Sequence, residues 1–326
     1  MSEARIPVDL CNPGQVFACL GFLEAADVLL GDAAGGFDWG DDRNVTFVLH
    51  GKGALNPIET VLEFLTAAEP ERWAPLGYIE PRAKQGASGD ADEDPEADEG
   101  TDEPAAEAVG AEIDRRPMFP ARQGDRMALP IRIGGGNWPI IDLDHWADGS
   151  SRDSFKLYAG NRSADRIARA MLKGVRKKPT GQQRADGQAG DLKTKGVMQL
   201  WQENRTALIQ APFDVLTPMG GSFNFDPRGA WTAIDAGYSP NEHKHAIQAS
   251  PVVEFLAAWG LQHARPVEFD VRQCRYAAWG VGLPPILARA ALCGAISTVP
   301  LRRFRFELDL SGKNKVVTFA QEEPNT

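Results

Sequence analysis

Apolar positions alternate with polar ones in some stretches of the chain and recur every three to four residues in others. RIPVDL (5–10) alternates and predicts a strand. NPGQ (12–15) is a turn or helix-start signal, and VFACLGFLEAADVLLG (16–31) follows with helical spacing and a stop at Gly31. VTFVLHG (45–51) predicts a second strand. NPIETVLEFLTAAEP (56–70) predicts a second helix, with Asn56 as N-cap and Pro57 at the first helical position. A strand–helix–strand–helix start indicates an α/β or α+β chain, not a bundle or a sandwich.

Further on, MALPIRIGGGNWPIIDLDHWAD (127–148) predicts a strand over 128–133, a glycine-rich turn and an irregular aromatic stretch. A helix is expected after Ser163 and up to about Val175, with Ile167, Met171 and Leu172 facing the core and Arg166, Arg169, Lys173 and Arg176 facing out. Residues 180–196 have the composition of a flexible basic loop, and 197–209 of another helix. SPVVEFLAAWGLQHARP (250–266) predicts an amphipathic helix capped by Ser250, with Gly260 near its end. FDVRQCRYAAWGV (269–281) is strand-like, PPILARAALCGAI (284–296) is a short helix, and the C-terminus is a β-hairpin around Ser311–Gly312.

Charge divides the chain. The net charge is −10, yet twelve acidic and no basic residues lie between Asp90 and Asp114. That segment is rich in Ala and Gly and has no aromatic residue, so it is too poor in apolar surface to fold and is expected to be disordered. The organisation that follows is an N-terminal βαβα part (1–84), an acidic insertion (85–116), and the remainder of an α+β core (117–326). Residues 152–195 hold twelve Lys or Arg against four Asp, and local charge, not the average, governs phosphate binding. No apolar run approaches the roughly 20 residues of a membrane helix, since Glu24 and Asp27 interrupt the best one, and the N-terminus lacks a secretory pattern. The expectation is a cytoplasmic protein without a membrane partner. Cys11, Cys19, Cys274 and Cys293 show no CxxC spacing and are expected to be buried, reduced thiols.

Catalytic signals are thin. His243 and His245 form an HxH in a polar loop, and DLDHWAD (142–148) gathers Asp142, Asp144, His145 and Asp148, but neither has metal-site or nuclease spacing. His145, His243 and His245 are therefore only weak catalytic candidates, and no cofactor or metal is expected. No nucleophile elbow, phosphate-binding loop or dinucleotide fingerprint is present. A binding role is better supplied. Arg162, Arg166, Arg169, Lys173, Arg176, Lys177 and Lys178 offer phosphate contacts. GGSFNFDPRGAWTAIDAGYSP (220–240) adds glycines, aromatics and an arginine. There Gly220 and Gly221 permit close approach, Arg228 is expected to contact phosphate, Phe223 and Phe225 to stack or to anchor the loop, and Asp226 and Asp235 to hold Arg228 and the turn.

Three stretches, IPVDLCNPGQVFACLGFLEAADVL, LDHWADGSSRDSFKLYAGNRSADRIARAM and SPVVEFLAAWGLQHARP, together resemble subunits encoded in type I-U (also called type I-G) CRISPR–Cas operons. The resemblance covers most of the chain except the acidic insertion and the 180–196 loop. It implies a subunit of a Cascade-like, RNA-guided, DNA-targeting complex of antiviral defence. The implied partners are CRISPR guide RNA, target DNA and other effector subunits. It also implies ferredoxin-like (RRM-like) βαβ elements with additional helices, and leaves open a backbone, guide-end or large-subunit role. Two other classes stay in play: a guide-RNA-processing endoribonuclease, and an interaction module whose basic face binds an acidic protein.

Overall fold

The computed structural model describes residues 1–73, 129–144, 155–158, 163–229, 247–311 and 314–324. The N-terminal alternation forms β1 (Ser2–Pro7), earlier than expected. Its ladder ends where Pro7 lacks an N–H and Asp9 bends the chain by accepting the N–H of Cys11. The side chain of Asn12 then accepts the N–H of Gln15 at 3.1 Å and, with Pro13 behind it, opens α1 (Pro13–Leu30). Gly31, at φ 78°, closes it. The sequence pattern missed β2 (Ala34–Asp38), because AGGFD has almost no strand propensity. Close packing explains the glycine: a Cβ at Gly36 would lie 2.1 Å from the Val281 carbonyl oxygen. β3 (Thr46–Gly51) pairs antiparallel with both, giving the order β1-β3-β2. α2 (Pro57–Ala67) follows, its N-terminal amides of Ile58 and Glu59 bonded to Asn56 as expected.

β4 (Glu71–Arg72), β5 (Ile131–Gly135) and β6 (Trp138–Leu143) form a small antiparallel sheet. The stretch expected to be irregular is thus half of a hairpin, pinned across its strands where Arg132 donates to both Asp142 oxygens at 2.7 and 2.8 Å. Next come α3 (Ala164–Lys173), β7 (Val175–Arg176), α4 (Gly181–Ala185), β8 (Leu192–Thr194) and α5 (Val197–Gln210). β9 (Thr217–Pro218) pairs with β10 (Gln248–Ala249). α6 (Pro251–His263) starts where the Ser250 hydroxyl accepts the Val253 N–H. The expected strand 269–281 is two strands, β11 (Val267–Asp270) and β12 (Gln273–Trp279), folded at Arg272 with φ 60°. α7 (Pro285–Leu292) precedes β13 (Leu301–Ser311), which pairs with β14 (Asn314–Val317) in the expected hairpin and with β15 (Gln321–Glu322).

The architecture is α+β, with α1 at its centre. The helix crosses α6 so closely that a Cβ on Gly21 would lie 2.0 Å from the Leu256 carbonyl oxygen, and one on Gly260 2.2 Å from that of Phe17. Its other flank meets the C-terminal sheet, Phe17 lying edge-on to Tyr276 at 5.6 Å. Phe37 and Phe47, from the N-terminal sheet, close around Trp279. One continuous core therefore takes residues from both sides of the acidic insertion; the insertion itself lies outside the described residues. α1 is long and apolar enough to cross a membrane, but it is buried in this core. Its one deeply buried acid, Glu24, is answered by Arg289 of α7, which donates to both carboxylate oxygens at 2.7 Å. Cys19 and Cys274 are buried and Cys293 half-buried, whereas Cys11 is exposed, contrary to expectation, because it lies in the turn between β1 and α1.

Candidate nucleic-acid interface

α3 is strongly amphipathic. Ile167, Ala168, Met171 and Leu172 are buried, and Arg166 and Arg169 face out. Ser163 occupies the N-cap position but makes no capping bond with its side chain. Lys173 turns inward, with its side chain only 16% exposed. Its ammonium donates to the Thr66 carbonyl oxygen and pairs with Glu69, both at 2.9 Å. Arg169 reaches the same place, donating to the Pro70 carbonyl oxygen at 2.8 Å and to Glu69 at 3.4 Å. Two of the cations expected to meet phosphate thus complete the C-terminal end of α2, whose last carbonyls have no helical partner and carry partial negative charge.

Residues 180–196 were expected to be a flexible basic loop after a helix ending near Val175, but residues 175–195 are structured. They form an excursion in which β7 and β8 pair antiparallel and α4 lies between them, held by reciprocal bonds between Thr180 and Gln183. Glycines let its two sides touch: a Cβ at Gly174 would lie 2.5 Å from the Thr194 carbonyl oxygen, and one at Gly190 1.9 Å from that of Lys177. The excursion carries Arg176, Lys177, Lys178, Arg184, Lys193 and Lys195 against Asp186 and Asp191. Arg176 donates back to the Gly190 carbonyl oxygen at 3.2 Å, and Lys195 pairs with Glu203 at 2.7 Å. The side chains of Lys177, Lys178 and Arg184, and of Arg166 on α3, are exposed and have no partner among the described residues. Arg184 was not singled out from the sequence; its signal was only its place in a basic segment.

The 220–229 loop sits against the base of this excursion. A Cβ on Gly220 would meet the Val175 side chain at 2.4 Å and the Thr194 hydroxyl at 2.6 Å, and Gly221 is buried. The aromatic residues belong to the core. Phe223 is fully buried, with its ring 5.7 Å from that of Tyr158 and 6.0 Å from that of Phe225. Of the two roles weighed for it, anchoring matches this placement; no face of the ring is open to a base. Arg228 is also committed inward. It donates to both oxygens of buried Asp226, at 2.7 to 3.1 Å, and to the Phe213 carbonyl oxygen at 2.9 Å. A phosphate would have to displace that pairing. Asp226 holds Arg228 as expected, and also accepts from Asn12 and from the Ser250 N–H.

The loop's closure is made by a residue the sequence reading passed over. Glu254, in the first turn of α6, accepts the backbone N–H of Phe223 at 2.9 Å, Phe225 at 3.1 Å and Asp226 at 2.8 Å. Burial pushes its carboxyl up to about 7, the Asp226 charge works in the same direction, and the N–H bonds from Asp226 and Phe225 oppose both. A single charge inside the apolar run PVVEFLAAWGL was the available signal. The glycine-rich loop is thus shaped around a carboxylate of its own chain.

Arg162, His145, His243, His245 and Asp235 lie outside the described residues. Among the described residues no three His, Cys, Asp or Glu side chains gather as a metal site would require. Asp142 is taken by Arg132, and Asp144 by Gln262, so these two acids of DLDHWAD serve the β5–β6 hairpin and its contact with α6. Comparison of the chain with protein-family models, with curated proteins and with solved structures gave no match.

Proposed function

We propose that the chain is a non-catalytic nucleic-acid-binding subunit of a type I CRISPR surveillance complex, contacting guide RNA, target DNA or both. The observation that carries the binding role is the exposed basic excursion, whose Lys177, Lys178 and Arg184 side chains, with Arg166 beside it, have no partner among the described residues. Isolated cations of this kind add little to stability and are suited to phosphates. The link to CRISPR rests on the sequence resemblance. The order β1-β3-β2, with α1 between the first two strands and α2 after the third, is compatible with the first part of a ferredoxin-like module. The test is co-purification. The tagged chain, expressed with the neighbouring genes and a CRISPR array, should bring down guide-length RNA in fixed stoichiometry. An RNA-free chain that binds none of the other subunits would refute the proposal.

A further inference from the structure

The C-terminal sheet buries one side. Cys274 and Tyr276 of β12 and Phe304 and Phe306 of β13 face the core. On the other side α7 packs against β12, where Ala277 and Trp279 are buried, while toward β11 the side chains are exposed. The strand register places Arg275 directly opposite Arg305, with Arg303 opposite Ala277 on the same side. Val267 stands opposite Arg275, whose guanidinium lies 4.6 Å from the ring centre of Phe269. Phe269 is 46% exposed.

Like charges directly opposite one another on paired strands repel and cost stability. Here only part of that charge is cancelled. Arg275 pairs with Glu323, and Arg272 lies 3.9 Å from Glu307. Arg305 reaches only the side-chain oxygen of Gln321 at 3.3 Å, and the side chain of Arg303 has no partner among the described residues. A face that only had to meet water would be more stable with a carboxylate at one of these positions. Two guanidiniums without a carboxylate, next to an exposed ring, match an anionic polymer that also carries flat apolar groups. A duplex hides the faces of its bases, and a single strand offers them.

We propose that this sheet face is a second contact for single-stranded nucleic acid, separate from the basic excursion. Arg303 and Arg305 take phosphates of the strand, and Phe269, backed by Arg275, stacks on an unpaired base. This inference rests on the reading of the chain as a nucleic-acid-binding protein, and the test separates the two. The full chain is titrated with a fluorescent single-stranded RNA at several salt concentrations. Arg303→Gln with Arg305→Gln should weaken binding about tenfold and make the salt dependence shallower by a slope of roughly 1.4, each lost phosphate contact counting about 0.7. Lysine at both positions should retain the slope, which distinguishes lost charge from lost fold. Phe269→Ala should weaken binding at least about fivefold with the slope unchanged. If the glutamine variant binds as the unmodified chain does, while neutralising Lys177, Lys178 and Arg184 abolishes binding, the sheet face is refuted and the functional reading stands. If the unmodified chain binds neither single-stranded RNA nor single-stranded DNA at any salt, both fall. Binding of polyglutamate instead of RNA, lost in the glutamine variant, would refute the inference in favour of an acidic protein partner.

Discussion

Glu254 is ionisable, fully enclosed and bonded to three backbone amides of one loop, with Asp226 as its charged neighbour. Its carboxyl is raised from 4.5 to about 7, mainly by burial. A group that holds its proton more tightly folded than unfolded stabilises the fold fully below the lower value, and that contribution is lost as pH rises through the higher one. Over this interval the loss is about 3 kcal/mol. Thermal melts from about pH 5 to about pH 8 should therefore show a downward slope that Glu254→Gln removes. At about pH 5 the variant should also be weaker by about 1–3 kcal/mol, because its amide nitrogen meets the Phe223 N–H, and this difference should shrink as pH rises. Parallel pH profiles for the two proteins would refute the assignment.

The crossing of α1 and α6 depends on side chains that are absent. Gly21 and Gly260 each bring a backbone carbonyl to within the space of a methyl group. Gly21→Ala and Gly260→Ala should each destabilise the chain by about 1–3 kcal/mol in urea denaturation. The double variant should cost less than the sum, since both strain the same crossing and a Cβ on Gly260 would lie 3.0 Å from the Gly21 nitrogen. Additive losses would mean that the helices separate locally at each site. The helices themselves were legible, since Asn12, Asn56 and Ser250 announce their N-termini by capping chemistry that acts within one turn. β2 and the β11–β12 fold were not, because AGGFD is a strand only against Val281 and Phe47, and the turn at Arg272 has no glycine to mark it.

Charge is sorted over the molecule by geometry rather than by sequence position. Arg166, Arg169, Lys173 and Arg176 share one basic stretch, yet Arg169 and Lys173 bind the end of α2 while Arg166 faces solvent. Neutralising Arg166, Lys177, Lys178 and Arg184 together should lower affinity for single-stranded RNA steeply and reduce its salt slope by about 3, with little change in Tm. Replacing Arg169 and Lys173 should do the reverse, lowering Tm by several degrees because the Thr66 carbonyl of α2 and the Pro70 carbonyl just beyond it lose their donors, with a smaller effect on binding. Equal losses of affinity from both sets, at unchanged Tm, would show that the α2 contacts are dispensable and that all these cations meet the ligand.

Local pattern determined the α+β class, the helices with their caps, the C-terminal hairpin and the separation of acidic from basic segments. These depend on periodicity, capping and charge density within a few residues. Tertiary structure alone decided that Phe223 and Arg228 are committed to the interior, that Glu254 closes their loop, and that Arg275 stands opposite Arg305. Apart from the Arg228–Asp226 pair, two residues apart and expected from the sequence, each of these is a contact between positions far apart in the chain, set by how α1, α6 and the C-terminal sheet pack, and periodicity carries no record of which distant carboxylate or strand a side chain will meet.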